Sequence, residues 1–181
     1  MKKYNEIKSL GDSLLRLVAI STSDDDSGSS GLQNMVDILV VIRNREHALE
    51  VAVQQRGICK RTILFIMDAH PSRQQVSSIS HTILFNPSFA PVTENMEEEY
   101  DGWLSLGQHR GKEKHCKEIF CRSCDKGHLI ERDVYGLRAE VVQNEIEHLE
   151  GVVFLDKAHS TQTLGFHDEL IKVSADQRRV C

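Results

Sequence analysis

Apolar residues Leu32, Met35, Val36, Leu39 and Ile42 recur at spacings of three and four behind Ser30, a good cap, and predict an amphipathic helix over roughly residues 31–44. Two short β-branched and aromatic runs, Arg61 to Met67 and His81 to Asn86, are closed by Asp68 and by Asn86-Pro87, which suits buried strands. Residues 115–124 and 128–135 read as two more strands about the turn Asp125-Lys126-Gly127. From Gly136 to His148 the period returns to that of a helix, with Leu137, Val141, Val142, Ile146 and Leu149 as its buried stripe. A last amphipathic stretch runs from His167 to Arg179. Strands gathered between flanking helices predict an α+β layout rather than alternating βαβ units.

Ser21 to Gly31 carries no apolar residue and is expected to be a mobile surface loop, because it cannot repay the entropy of ordering. With 181 residues, 40% of them hydrophobic and 27% charged, the chain is expected to form one domain, residues 1–181, with its own core. No apolar run approaches the roughly 20 residues that span a bilayer, and the start lacks the apolar core of a secretory signal, so a cytoplasmic protein outside the membrane is expected. Five cysteines, an odd number, favour reduced thiols over a disulfide framework. A net charge of −5 leaves no electrostatic footprint for nucleic acid.

The chemistry concentrates in Gln143-Asn144-Glu145-Ile146-Glu147-His148, which reads as the metal-binding helix H-E-x-x-H with its first histidine replaced by asparagine. Residues four apart on a helix stand one above the other, so the intact motif puts two imidazoles on one ion and a glutamate beside its bound water. Only His148 and Glu145 remain here. On residue type alone, Glu145 is a solvated or paired side chain and His148 a packed or capped one.

Further patterns lie in order along the chain. Gly11-Asp12-Ser13-Leu14-Leu15-Arg16 is followed by Met35-Val36-Asp37-Ile38-Leu39, then by Ala48-Leu49-Glu50-Val51-Ala52-Val53-Gln54-Gln55 with Arg61 after it, and by Asp101-Gly102-Trp103-Leu104-Ser105. Together with Gln143 to Gly151 and Val152 to Asp156, this series resembles the peptide deformylase family over about residues 9–156, leaving 157–181 as a tail and helix. The family's patterns are G-D-P-x-L-R, M-x-E-T-M, G-x-G-L-A-A-x-Q, E-G-C-L-S and Q-H-E-x-D-H-L-x-G with a closing strand.

The resemblance implies the deformylase fold: antiparallel or mixed sheets around a central helix that carries Glu145 and His148, plus a C-terminal helix. It implies a hydrolase that removes formyl from N-formylmethionine at new protein N-termini, using Fe²⁺ or Zn²⁺. By the same resemblance Gln55 and the Leu104 backbone would stabilise the oxyanion, Glu145 would act as general base, and His148 would be a metal ligand. The other two ligand positions hold Trp103 and Asn144, and both motif glycines are replaced, by Ala48 and Glu50. Indole offers no lone pair in place of a thiolate, and a neutral amide oxygen would forfeit most of the roughly 10 kcal/mol or more of a tight transition-metal site. Trp103, the one tryptophan of the chain, either fills the volume of metal and water or turns elsewhere into the core. Aligning Arg110-Gly111 with the family's R-G puts His115 where the family has an arginine.

A replacement metal site is conceivable at His115-Cys116, Cys121, Cys124 and His128, but no second cysteine pair follows, and in one continuous strand Cys116 and Cys124 share a face that Cys121 does not. The acidic run Glu97-Glu98-Glu99 with Asp101 is a cation candidate or hydrated surface. Three functional readings follow. The first is a metal-free relative that holds peptide N-termini or a partner without hydrolysis and has no cofactor; the second is an active deformylase with an atypical ion; the third is an interaction module using the C-terminal helix.

Overall fold

The computed structural model describes residues 7–23, 29–46, 50–67, 79–125 and 128–177. Ala48 of the glycine-replacement pair lies outside them, as do 178–179 of the final helical stretch and the last two residues; of Glu50 only the backbone is described. Helix α1 spans Ser30–Glu46, followed by strands β1 Glu50–Ala52, β2 Thr62–Met67, β3 Ile79–Pro91, β4 Met96–Asp101, β5 His109–Cys116, β6 Glu118–Asp125 and β7 His128–Tyr135. Helix α2 then runs from Leu137 to Leu149, a single turn α3 from Phe154 to Lys157, strand β8 from Gly165 to Phe166 and helix α4 from His167 to Gln177.

Two sheets form, a five-stranded one in the order β1-β2-β3-β6-β7 and a three-stranded one in the order β4-β5-β8. Their strand pairs are antiparallel, with one isolated parallel bridge between Ile20 and Lys60. The large sheet is covered on both faces. Leu39 of α1 packs with Val51, Leu64 and Phe85 on one side, while Ala139, Val142, Ile146 and Leu149 of α2 pack with Ala52, Ile63, Leu84 and Ile119 on the other. This is the α+β arrangement expected, with α2 as the central helix.

Several local expectations are corrected. The β3 run does not stop at Asn86-Pro87: Asn86 takes φ +50°, the ladder shifts register between Phe85 and Ser88, and pairing with β6 resumes beyond this bulge. The side chain of Asn86 accepts from the Thr22 backbone N–H at 2.7 Å and donates to the Thr22 carbonyl at 2.8 Å. Thr22 is therefore buried and fixed, and the expected mobile loop does not include it; residues 24–28 lie outside the description.

The expected strand 115–124 is two strands in different sheets, because the chain breaks at Lys117, whose N–H donates to Asn95 O at 3.0 Å. The break reverses the cysteine faces: Cys116 and Cys121 share the α2 core, and Cys124 packs toward α1. The expected closing strand after Gly151 is the helical turn α3, in which the Asp156 carboxylate accepts from the Val153 N–H at 2.9 Å. The β6–β7 hairpin forms as expected, with Asp125 opposite His128.

Candidate functional site

The polar face of α2 is as buried as its apolar stripe: Gln143, Asn144, Glu145 and His148 are all within the protein. Of the two readings open for Glu145, solvated or paired, burial excludes the first, and His148 is packed as residue type alone suggests; β5 and Trp103 cover this face. Gln143 fastens the two elements, its Oε1 accepting from the Cys116 N–H at 2.9 Å and its Nε2 donating to the Cys116 carbonyl at 2.9 Å. A buried side-chain amide satisfied at both ends fixes the approach of helix and strand.

Trp103 stands just before a 3₁₀ turn, Leu104–Leu106. Its ring centroid lies 3.8 Å from that of His148, at an interplanar angle of 47°, and 6.4 Å from that of Phe154. Leu15, Val153 and Phe154 close an apolar shell around the indole. Within it His148 is about 1% exposed, and burial alone pushes its pKa down to about 3, so the imidazole is neutral. Neither His148 Nδ1 nor Trp103 Nε1 has a hydrogen-bond partner among the described residues.

Asn144 points away from this shell. Its Oδ1 lies 2.7 Å from His115 Nε2 and its Nδ2 donates to Asp101 Oδ2 at 2.5 Å. Behind His115 lies Glu113, fully buried, with 3.4 Å between His115 Nε2 and Glu113 Oε1. Lys157 of α3 places its Nζ 2.6 Å from the same Oε1 and also pairs with Glu147 of α2.

Burial works against the charged form of Glu113, but hydrogen bonds from His115 and Lys157 and the lysine charge outweigh it and hold the carboxyl below its ordinary value. His115 is likewise opposed by burial, yet Glu113 raises its pKa. For Glu147 burial prevails over Lys157 and the pKa is raised. Lys157, although desolvated, is raised by Glu147 and Glu113.

Gln55 is also buried, its Oε1 accepting from the Ala52 N–H at 3.1 Å and its Nε2 donating to Ser105 Oγ at 3.2 Å. The structure thus brings Gln55 beside the 3₁₀ turn that starts at Leu104, and Glu145, Asn144 and His148 onto one buried helix. It does not gather the cysteine and histidine candidates: Cys121 and Cys124 face opposite sides of the sheet and His128 is exposed at the hairpin end. Of the acidic run, Glu98 pairs with Lys112 at 3.0 Å and Glu97 with Lys117 at 3.4 Å across the β4–β5 ladder, whereas Asp101 turns inward.

Glu113 and Lys157 were missed in the sequence. Arg110-Gly111-Lys112-Glu113-Lys114-His115 looks like a hydrated charge run, but Gly111, Glu113 and His115 alternate inward on β5 while Lys114 faces out. The signal was a period of two, hidden because the strand was begun at residue 115.

The donor set decides how the inherited positions stand toward a metal. Trp103 offers no donor, the Asn144 oxygen is engaged with His115, and His148 alone is an ordinary ligand. These positions do not fit a catalytic transition-metal ion, which takes three protein ligands. A different group comes together nearby: one ligand atom each from Asp101, Glu113 and His115 lie within 4.8 Å of one another. That trio has the chemistry for a divalent cation, but the Lys157 ammonium already sits against Glu113.

A central helix with a degenerate H-E-x-x-H pattern, wrapped by two antiparallel sheets, defines the class, and comparison with known proteins defines the family. The profile of the polypeptide deformylase family matches residues 4–163. Peptide deformylase 1 of Nitrosomonas europaea is 30% identical over 140 residues, covering 77% of each chain. Peptide deformylase 1 of Prochlorococcus marinus is 30% identical over 167 residues, covering 91% of this chain and 86% of its own. A class I type b peptide deformylase of Acinetobacter baumannii with Met-Ala-Ser bound has a similar fold, with a TM-score of 0.78 at 22% identity over 87% of this chain and 99% of its own. Peptide deformylase of Thermotoga maritima has a TM-score of 0.73 at 22% identity, over 88% of this chain and all of its own. The chain belongs to the polypeptide deformylase family. No helix among the described residues is long and apolar enough to cross a membrane.

Proposed function

We propose that this chain is a deformylase-family protein that has given up metal-dependent hydrolysis and holds peptide N-termini in the cytoplasm without cleaving them. The observation that carries this reading is the indole of Trp103 against the ring of His148, 3.8 Å between centroids. The indole packs against His148, the one ordinary ligand among the positions the family pattern marks, and a glutamate without a polarised water has little to activate. Glu145, Gln55 and the Leu104 backbone are then vestiges of the catalytic set. Support for peptide binding comes from the solved relative that carries Met-Ala-Ser and from Gln55 and Ser105 lying together beside Leu104.

The test is metal analysis of purified protein together with turnover of formyl-Met-Ala-Ser and binding of Met-Ala-Ser by calorimetry. Substoichiometric metal, no turnover above background and saturable tripeptide binding are expected. About one ion per chain, with turnover lost in both His148→Ala and Glu145→Ala, overturns the reading.

A second reading is favoured by the gathering of Asp101, Glu113 and His115: a hydrolase with a displaced ion, zinc or iron. Its mark is turnover that Glu113→Gln abolishes and Trp103→Phe does not.

A further inference from the structure

The polar cluster beside the inherited centre has a feature that the loss of metal chemistry alone does not require. Four separate elements converge on it: the end of β4 supplies Asp101, β5 supplies Glu113 and His115, α2 supplies Asn144 and Glu147, and α3 supplies Lys157. Glu113 is wholly buried, and a carboxylate without water is tolerated only beside positive charge. Asp101, Glu113 and His115 meet the distance requirement for a shared ion. A cation is in fact present at one edge of this group: the ammonium of Lys157, 2.6 Å from Glu113 Oε1 and ion-paired with Glu147.

We propose that Asp101, Glu113 and His115 form a divalent-cation site whose resident cation is the Lys157 ammonium, so that the site takes a divalent transition-metal ion only when that side chain is withdrawn. The proposal rests on the reading that the intact protein works without metal. A tethered ammonium competes with a free ion at high local concentration, since the turn at Gly151 and the packing of Phe154 deliver Lys157 to the cluster whenever the protein is folded. A compact point charge on a four-carbon stem suits the role better than a planar guanidinium, because it needs no forked partner. Three carboxylates, Asp101, Glu113 and Glu147, face one ammonium and one imidazole, so removing Lys157 leaves a deficit of positive charge that a divalent ion fills. The His115 ring proton is released to solvent as Nε2 exchanges Asn144 Oδ1 for the ion.

The test uses tag-free full-length protein and Co²⁺, whose visible absorption reports coordination by imidazole and carboxylate. Wild type is expected to show no Glu113-dependent Co²⁺ band. Lys157→Ala is expected to melt about 10 °C lower without metal, as befits a buried carboxylate left with His115 as its remaining partner. It should bind one Co²⁺ per chain with visible bands and recover at least about half of the lost melting midpoint when Co²⁺ is added.

The double variant Glu113→Gln/Lys157→Met, which removes both charges, should fold, bind no Co²⁺ and show no metal-dependent shift. A Lys157→Ala protein that stays metal-free, or that fails to fold with Co²⁺ as it does without, overturns the proposal. So does Co²⁺ bound by wild type and lost in Glu113→Gln. Formyl-Met-Ala-Ser turnover is measured on wild type in parallel: turnover defeats the proposed function, whereas a metal-free Lys157→Ala with no turnover in wild type defeats this inference alone.

Discussion

The imidazole of His148 and the indole of Trp103 face one another at 3.8 Å between centroids, a contact that joins two residues at which the motif resemblance expects metal ligands. Each ring buries the other, and the Leu15, Val153 and Phe154 shell excludes water from both. The tryptophan thus contributes core packing at a position where the motif resemblance expects a thiolate ligand.

Trp103→Ala therefore opens a cavity in a shell that other elements hold in place. A loss of about 3–5 kcal/mol in unfolding free energy is expected from urea denaturation, the range typical of a buried aromatic truncated to alanine. Trp103→Phe, which keeps a ring against His148, should lose clearly less. Equal losses for the two variants are incompatible with ring packing as the source.

Trp103→Cys combined with Asn144→His restores the donors that the family pattern places there. His148 already faces the side chain of residue 103, whereas a histidine at 144 has to leave the His115 and Asp101 side to which Asn144 is bonded. The double variant should bind Co²⁺ with a thiolate-to-metal charge-transfer band, while each single variant, one donor short of three, should bind far more weakly. A folded double variant that stays metal-free would falsify the view that the scaffold still presents the inherited geometry.

The elements with strong periodicity were legible from the residues themselves. Helices α1 and α2 came from spacing, because each buries one stripe; strand β2 came from a β-branched and aromatic run that is buried on both faces, and the β6–β7 hairpin from its turn. The short or polar strands were not. β4 and β5 consist largely of charged residues paired across the ladder, Glu98 with Lys112 and Glu97 with Lys117, so their pattern imitates a hydrated surface.

The candidate site was legible only as an expectation from the motif resemblance, which singled out Gln55, Trp103, Asn144, Glu145 and His148, all of them buried. Its internal partners were not, since the bond from Asn144 to His115 joins residues 29 apart and Lys157 reaches Glu113 across two elements. Asn86 shows the same limit in reverse: Asn-Pro is a sound turn signal, but a bulge at φ +50° lets the strand continue.

The buried neutral state of His148 sets a pH dependence. Its folded pKa is about 3 against roughly 6.5 in the unfolded chain, so between those values the unfolded state holds one more proton than the native. Stability should then fall as pH falls through that window, by about 1.4 kcal/mol per pH unit. His115 acts on the other side: its raised pKa favours the fold below the unfolded value and that contribution is lost as pH rises above the folded one. It is charged in both states on the acid limb and leaves that limb unchanged. Unfolding curves from pH 7 to 4 should show the slope in wild type and a shallower one in His148→Leu. Parallel slopes would remove His148 as the cause.

Gly151 gives a sharper test of the packing that delivers α3 to the cluster. It follows α2 with φ +74°, and a Cβ built there would stand 2.6 Å from the Arg16 carbonyl oxygen and 2.8 Å from its carbon. Those are backbone atoms of the segment that α2 and the core hold in place: Ala19 N–H donates to the Leu149 carbonyl at 2.8 Å, and Gln54 Nε2 donates to Leu14 O at 3.0 Å. Neither side can yield cheaply. Gly151→Ala should cost roughly 1–2 kcal/mol from the left-handed backbone alone, with the steric contact adding to it. The same substitution at Gly31, near the start of α1 and with nothing nearer than Ser29 Oγ at 3.9 Å, should stabilise by up to about 1 kcal/mol through helix propensity. Chemical denaturation of both variants checks the opposite signs. If Gly151→Ala proves neutral, the Arg16–Leu17 segment does not rest on the end of α2 as described, and the anchoring of Lys157 through this turn fails with it.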